Sequence, residues 1–258
     1  MAAVPNIHPN AKVGKNTVVA PFATVEDNVI IGDDCWIGPG AVIMWGTRLG
    51  NGCKIFPGAV VGAIPQDLKF QGEATTCEIG NNTTIRECAT INRGTAFRNK
   101  TSIGDNCLIM AYVHVAHDCA IGNNVILTNN VTLAGHIEID DYAILEGLVA
   151  VQQFVKIGAH AFVTGGSLVR KNVPPYVKAA REPLAFAGVN TIGLKRRGFS
   201  DQRINQIEMI YKNLFVLNKN LGEGIQKVES DLEDSENKNH ILDFIRNSEK
   251  GVIRSMLD

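Results

Sequence analysis

The chain has 258 residues, with 25 Lys and Arg against 26 Asp and Glu and a formal net charge of −1 at pH 7. That balance supplies no global field to draw it to nucleic acid, and the length allows one large domain or two modest ones around a sizeable core. No run of eighteen apolar residues occurs, and Met1 to Asn6 show no basic stretch leading into an apolar one, so neither membrane insertion nor a secretory leader is expected and a cytoplasmic location is.

From the start of the chain an aliphatic residue recurs at every sixth position: Ile7, Val13, Val19, Val25, Ile31, Ile37, Ile43, Leu49, Ile55 and Val61. The pattern resumes at Ile79, Ile85 and Ile91, then runs through twelve consecutive hits from Ile103 to Val169. Such a period is the mark of a repeat architecture. Four residues after each aliphatic comes a second inward position with small or β-branched residues, such as Ala11, Thr17, Ala23, Val29 and Cys35, and later Val113, Cys119, Val125 and Val131. All six cysteines, at 35, 53, 77, 88, 107 and 119, are read as lying on this position. They show no paired metal-ligand spacing, so they are expected to be buried small hydrophobes rather than disulfides or zinc ligands.

Gly, Asn or Asp often follows the aliphatic, as in Ile31, Gly32, Asp33, Asp34 and in Ile103, Gly104, Asp105, Asn106. Each unit therefore reads as a short strand and a corner. Three units close a triangular coil, and coils stack through parallel strand hydrogen bonds, so residues eighteen apart form columns spaced by about 4.8 Å. Two stretches break the period, Ala63 to Thr76 and Ala96 to Ser102, and both are expected to project as loops. After Pro174 and Pro175 the period ends, and from Ser200 apolar residues take helical spacing at Ile204, Ile207, Ile210, Tyr211, Leu214 and Leu217. Further helices are expected over 224–232, 239–246 and 251–257, with the polar stretch Asp231 to Asn239 as a linker. The chain thus divides into a parallel β-helix over 1–187 and a C-terminal α-helical domain over 188–258, which caps the open sheet ends.

The column rule also sorts the outward positions. One face reads Leu108, Ile126, Ile144, Phe162, and another reads Ala120, Glu138, Lys156. An apolar stripe several coils long is an expected association surface. At one corner His117, Gly135, Gln153 and Lys171 follow each other by steps of eighteen, beside Asp118, His136, Phe154 and Asn172. With His114 close by, this gathers groups able to move protons near neutral pH. The same histidines could instead hold zinc as neutral imidazoles. His8, His160 and His240 stand elsewhere and read as surface or capping residues.

These residues resemble a known family. The stretch from Val113 to Cys119, Leu133 to His136, Gln152 to Phe154 and Gly193 to Ser200 are similar to motifs of the UDP-N-acetylglucosamine 3-O-acyltransferases, the family that opens lipid A synthesis; so are Gln66 to Phe70 and Thr90 to Thr95. The resemblance covers nearly the whole chain. It implies a left-handed coil, a homotrimer with the acyl groove and active site between neighbouring coils, and no metal or nucleotide cofactor. It also implies transfer of a 3-hydroxyacyl group from acyl carrier protein to the sugar 3-hydroxyl of UDP-N-acetylglucosamine. Carried over residue by residue, His117 is the general base, Asp118 orients it, and the Gly135 N–H stabilises the oxyanion. Asp67, Lys69, His114, His136 and Gln153 line the sugar and pantetheine end, and Asn190, Arg196 and Arg197 meet the uridine diphosphate. Gly165 leaves the acyl groove open, at roughly 13 Å along the axis from His117 at strand spacing; the other reading is a glycine needed only to turn the chain. Lys156, Arg170, Lys171, Lys178 and Arg181 are candidates for docking the acidic carrier protein.

Three positions depart from the family pattern: Gln152 and Asn92 stand where histidines are usual, and Ile192 where a glutamate often lies. The rivals are the N-acyltransferase of the same pathway, an acetyl-CoA-dependent sugar acetyltransferase, a zinc lyase of the carbonic anhydrase type, and a coil that only assembles or binds.

Overall fold

Strands recur along the coil from Asn6–Ile7 to Leu168–Val169, most of them only two residues long. In the computed structural model, which describes residues 4–218 and 220–255, they form parallel walls of nine, eight and ten strands; the third wall ends in one antiparallel strand. These are the three sides of one coil. On the first wall Val115 lies on Leu133, Leu133 on Val151 and Val151 on Val169, eighteen residues apart each time. The excursions change this spacing in whole units. Val61 pairs with Ile91, thirty residues on, and Ile91 with Val115, twenty-four on. They add two repeats and one, so the alternation of inward and outward side chains resumes in phase. The second excursion is displaced from its expected bounds: it begins at Arg93, and Lys100–Ile103 is a strand held on Thr76–Ile79.

The interior is a ladder of the predicted residues. Ile37, Ile43, Ile55, Ile85, Ile109, Leu127 and Leu145 are fully buried, and the second inward position adds Ala41, Cys53, Val113 and Val131. Each large aliphatic contributes about 1.5–3 kcal/mol relative to exposure. Five cysteines sit in this ladder as expected, but Cys88 does not. It stands three residues after Ile85 rather than four, at an exposed corner with φ 55°, while Ala89 takes the inward place.

The corners explain the polar signature. Carboxylate or amide oxygens of Asp33, Asn51, Asn81, Asp105, Asn123 and Asp141 each accept the backbone N–H of the coil below, at 2.6 to 2.9 Å. Gly104 must be glycine because a Cβ there would lie 2.6 Å from the Asn123 Oδ1 above it. One residue further on, the backbone enters the left-handed region at Asp34, Asn82, Asn106 and Asn124. Asn and Asp tolerate this best, yet the other corners place Tyr112, Asp118, His136, Leu148 and Phe154 there as well, with φ between 60° and 64°.

At the C-terminal end Val177–Ala180 continues the third wall and turns back as the antiparallel strand Ala185–Val189. A hairpin therefore covers this edge before any helix begins. The helices α1 (Thr191–Arg196), α2 (Asp201–Lys212), α3 (Leu221–Asp231) and α4 (Glu236–Arg246) follow, α2 running on as a wider π turn over Asn213–Leu217. The helix expected from Ser200 starts there, the Ser200 hydroxyl accepting from Arg203 N at 3.2 Å. Side-chain caps move two other starts upstream: capped by Asn220, α3 begins at Leu221, three residues before Gly224, and Ser235 begins α4 inside the stretch read as a linker. The helix expected over 251–257 is absent in its described part. Gly251 has φ 68°, Val252 and Ile253 are buried, and Val252 bridges to Asn172 on the coil; Met256 and Leu257 lie outside the described residues. No helix among the described residues is long and apolar enough to cross a membrane.

The column Leu108, Ile126, Ile144, Phe162 is paired in register on the third wall and half-buried within the single chain.

A corner substitution checks the backbone account. Asn124 has φ 57°; Asn124→Ala should cost about 1–2 kcal/mol while Asn124→Gly stays within about 0.5 kcal/mol of the parent, read as thermal unfolding midpoints.

Candidate active site

His117 and Asp118 occupy the corner between the strands His114–Val115 on the first wall and Ala120–Ile121 on the second. Both side chains are buried, at 5% and 0% exposure. Asp118 has φ 60°, in the left-handed region. His117 Nδ1 and Asp118 Oδ2 lie 2.8 Å apart. With the carboxylate charged, Nδ1–H must be the donor, which leaves the Nε2 lone pair free on the other side of the ring. That nitrogen faces Asp67 Oδ2 at 4.0 Å, from the excursion over 64–75.

The second excursion grips the carboxylate. Thr95 Oγ1 donates to Asp118 Oδ2 at 2.6 Å, and the backbone N–H groups of Thr95 and Arg98 donate to Oδ1 at 3.0 and 3.1 Å. Asp118 N in turn donates to Thr101 Oγ1 at 2.8 Å. Burial works against the charge, but the bonds from Thr95, His117 and Arg98 outweigh it and hold the Asp118 carboxyl below the usual carboxylate range. Thr95 and Arg98 were not legible as site residues: nothing in the spacing of a loop says which coil its donors will reach.

Gly135 lies one coil above. A Cβ there would stand 2.6 Å from His117 Cε1, so only glycine admits the imidazole. Its neighbours Ala134 and His136 give their N–H groups to the carbonyls of Val151 and His117 at 3.1 and 3.0 Å; that of Gly135 has no such partner among the described residues. His136 stacks on Phe154 with centroids 4.4 Å apart and meets the His117 ring edge-on at 4.9 Å. Burial lowers the His136 pKa, and also that of His114, whose Nδ1 lies 2.8 Å from Thr90 Oγ1. Lys69 follows Asp67 on the first excursion, its N–H donating to Asp67 Oδ1 at 2.9 Å, and Gln153 is exposed on the coil above Gly135.

The remaining predicted residues are elsewhere. Asn190, Arg196 and Arg197 line a cavity of about 510 Å³ against Ile144, Phe162 and Lys178 of the third wall. Asn190 is already employed there, its Oδ1 capping α1 at Gly193 N (3.2 Å) and its Nδ2 donating to His160 O (3.0 Å). The Arg197 guanidinium lies 5.2 Å from the Tyr142 ring centroid. Within one chain this cavity is on a different wall from the corner that holds His117. Gly165 is at the corner after Phe162–Val163, and the left-handed φ of 71° belongs to Gly166, so turning the chain does not account for Gly165. A Cβ at 165 would lie 3.1 Å from Gly147 O, and its N–H donates to Glu146 Oε2 at 3.1 Å.

The repeated corners and the buried His–Asp pair define a hexapeptide-repeat transferase: residues 28–63 and 100–135 match the bacterial transferase hexapeptide model, and residues 172–253 match domain 2 of the UDP-N-acetylglucosamine O-acyltransferases. An acyl-[acyl-carrier-protein]–UDP-N-acetylglucosamine O-acyltransferase of Sulfurihydrogenibium is 48% identical over 253 residues, 95% of this chain and 93% of that one. The crystal structure of a UDP-N-acetylglucosamine acyltransferase from Bacteroides fragilis superposes with a TM-score of 0.96 at 48% identity, covering 98% of this chain and 100% of that one. That from Francisella novicida gives 0.95 at 37% identity, covering 99% and 94%. The chain belongs to the UDP-N-acetylglucosamine O-acyltransferase family, and its fold is the left-handed parallel β-helix of hexapeptide repeats with a helical C-terminus.

Because the folded-state pKa of Asp118 is depressed, its contribution to stability is present above the unfolded value and is lost as pH falls through the folded one. Thr95→Val keeps the shape but removes the 2.6 Å bond; it should destabilise the chain by about 1–3 kcal/mol at pH 7, a difference that shrinks below about pH 4, measured by urea unfolding across that range.

Proposed function

We propose that the chain transfers a 3-hydroxyacyl group from acyl carrier protein to the 3-hydroxyl of UDP-N-acetylglucosamine, the first step of lipid A biosynthesis, with His117 as general base. The observation that carries the role of His117 is its 2.8 Å bond to the buried Asp118, which commits Nδ1 and leaves Nε2 to take a proton. A sugar hydroxyl is a weak nucleophile until its proton has a destination. As its oxygen attacks the thioester carbon, the proton passes to His117 Nε2, and the carbonyl oxygen gains the negative charge that the Gly135 N–H would meet. Collapse of that intermediate breaks the C–S bond, and the leaving thiolate takes the proton from the imidazolium. Asp118 stays ionised and stabilises the imidazolium through Nδ1. The thioester brings its own activation, so the reaction calls for no cofactor.

Asp67 is suited to the sugar because the first excursion carries it to the free side of the His117 ring, and Lys69 belongs to the same turn. His114, His136 and Gln153 extend the same cleft toward the pantetheine end. Arg196 and Arg197 suit a pyrophosphate through forked, charge-assisted bonds, and Asn190, already the cap of α1, would fix their helix as much as touch uracil. Gly165 keeps the groove open for a long acyl chain. Its place beside Gly147 O supports this reading, since a larger residue would have to push outward from the coil.

The nucleotide cavity and the proton-transfer corner lie on different sides of one coil, which supports a homotrimer in which each site draws on two copies. The half-buried column Leu108, Ile126, Ile144 and Phe162 is the matching contact surface. Arg170 and Lys171 border a second cavity of about 450 Å³ with Leu168, Leu184 and Arg254, a setting suited to an acidic carrier protein. Lys178 lies nearer the nucleotide cavity, and Lys156 is paired with Glu138 at 3.2 Å. Arg181 completes the docking set. The division into a coil over 1–187 and a helical domain over 188–258, and the cytoplasm as the place of work, belong to the same reading.

A metal reading has one observation in its favour, since ligand atoms of His117, Asp118 and His136 lie within 4.8 Å of one another. Against it, the Asp118 oxygens already accept from Thr95, Arg98 and His117.

Two experiments test the proposal. His117→Ala should reduce acyl transfer from 3-hydroxyacyl carrier protein to UDP-N-acetylglucosamine by about 10²–10⁴-fold with the assembly intact; retained activity would remove His117 from the chemistry, and zinc-dependent activity by elemental analysis would favour the metal reading. Ile126→Asp with Ile144→Asp should give monomers in light scattering, and an unchanged trimer would retire the apolar column as the interface.

A further inference from the structure

The two excursions leave the first wall side by side. Ala63 pairs with Asn92, Arg93 N donates to Ala63 O at 2.9 Å, and Asn92 Nδ2 donates to Ile64 O at 3.1 Å. They then clasp each other, with Thr75 Oγ1 donating to Gly94 O at 2.6 Å and Gly94 N to Thr76 O at 3.1 Å. At the root of this clasp is Arg93, only 9% exposed. Its guanidinium carbon lies 5.0 Å from the Trp45 ring centroid and 5.3 Å from that of Phe70, one aromatic from the coil and one from the excursion. The Trp45 backbone is tied to the coil below, its main-chain N–H donating to Glu26 Oε2 at 2.9 Å. Burial lowers the Arg93 pKa, and the charges of Glu26 and Glu73 oppose that effect.

A cation in such a place is costly if its only task is to fill space, which a methionine would do without the desolvation. What arginine adds is a planar charged surface that can attract two ring faces. Phe70 in turn closes the turn that carries Asp67: Phe70 N donates to Asp67 O at 3.0 Å and Lys69 N to Asp67 Oδ1 at 2.9 Å. The other Asp67 oxygen is the one that faces His117 Nε2 at 4.0 Å.

We infer that Arg93 is a positioning residue for the acceptor side of the active site: held between Trp45 and Phe70, it sets the turn of the first excursion and thereby the placement of Asp67 and Lys69 against His117. The inference rests on the reading of Asp67 and Lys69 as acceptor-sugar contacts. Arg93 is only 9% exposed and packed between the two rings. Its action passes through Phe70, so it discriminates between the two substrates: loosening the turn weakens the acceptor and leaves the acyl donor's groove as it was.

The test is steady-state kinetics on the whole protein with UDP-N-acetylglucosamine and a 3-hydroxyacyl carrier protein, comparing Arg93→Met, Arg93→Lys, Phe70→Ala, Phe70→Tyr, Asp67→Asn and the Arg93→Met/Asp67→Asn double variant. Arg93→Met and Phe70→Ala should raise the acceptor KM about tenfold, with the donor KM within about twofold, because a turn displaced by about an ångström loses the acceptor's contacts. Phe70→Tyr, which keeps the ring face, should behave as the parent, and Arg93→Lys should fall between. In the Asp67→Asn background Arg93→Met should cost less than about twofold more, since residues acting through one contact are not additive. Tryptic cleavage after Lys69 should be about tenfold faster in Arg93→Met than in the parent, reflecting a turn no longer held down. Losses that multiply in full in the double variant, or donor and acceptor KM values that rise together, would overturn the inference. If Asp67→Asn has no effect, the reading of Asp67 fails, and cleavage after Lys69 still decides whether Arg93 holds the turn: an unchanged rate overturns that as well. Should Arg93→Met not assemble, Phe70→Ala and Phe70→Tyr carry the comparison.

Discussion

Parallel hydrogen bonding between residues one coil apart is the constraint from which the rest of the molecule follows. A strand of two residues has no stability of its own, and each becomes ordered only because the strands above and below satisfy its backbone groups. The bonds fix the register at eighteen residues, or at thirty and twenty-four where an excursion adds whole repeats. Each inward aliphatic must then meet another, and most corners return the chain through the left-handed region. The Asp and Asn side chains that accept N–H groups from the coil below offset part of that backbone cost.

The site is built by the same rule. Stacking puts a glycine over the His117 ring, and no other residue would fit. It also puts His136, partly exposed, above the buried Asp118, and desolvation lowers the His136 pKa. The coil alone, however, would leave Asp118 buried with few donors. The second excursion supplies them from Thr95 and Arg98, and the first brings Asp67 to the open side of the His117 ring. A rigid solenoid thus provides His117 and the carboxylate that orients its ring, while two short loops that interlock with each other complete the surroundings of the pair.

A solenoid also distributes its surfaces by wall. The apolar column on the third wall and the charged column on the second come from the same repeat, differing only in which outward residue each wall presents. The cavity formed by α1 over Ile144 and Phe162 extends the third wall outward. It lies apart from the His117 corner for a geometric reason: outward groups on a wall and at the opposite corner of one coil point away from each other, and no excursion among the described residues bridges the two.

The period of six determined the walls, the core residues, the columns and the pairing of His117 with Gly135, because stacking converts sequence distance directly into spatial distance. Helix starts were less legible. Asn220 and Ser235 begin α3 and α4 upstream of their apolar faces, since a capping side chain decides where a helix starts. Cys88 shows the sensitivity of the rule, one residue out of phase being enough to place it outside. Only the tertiary structure decided that Thr95 grips Asp118, that Phe70 rests on Arg93, and that 251–255 returns to the coil as extended chain. These contacts join residues on excursions or at the chain's far end, where no period relates position to place, and each is settled by which buried donor, acceptor or ring face remains to be satisfied.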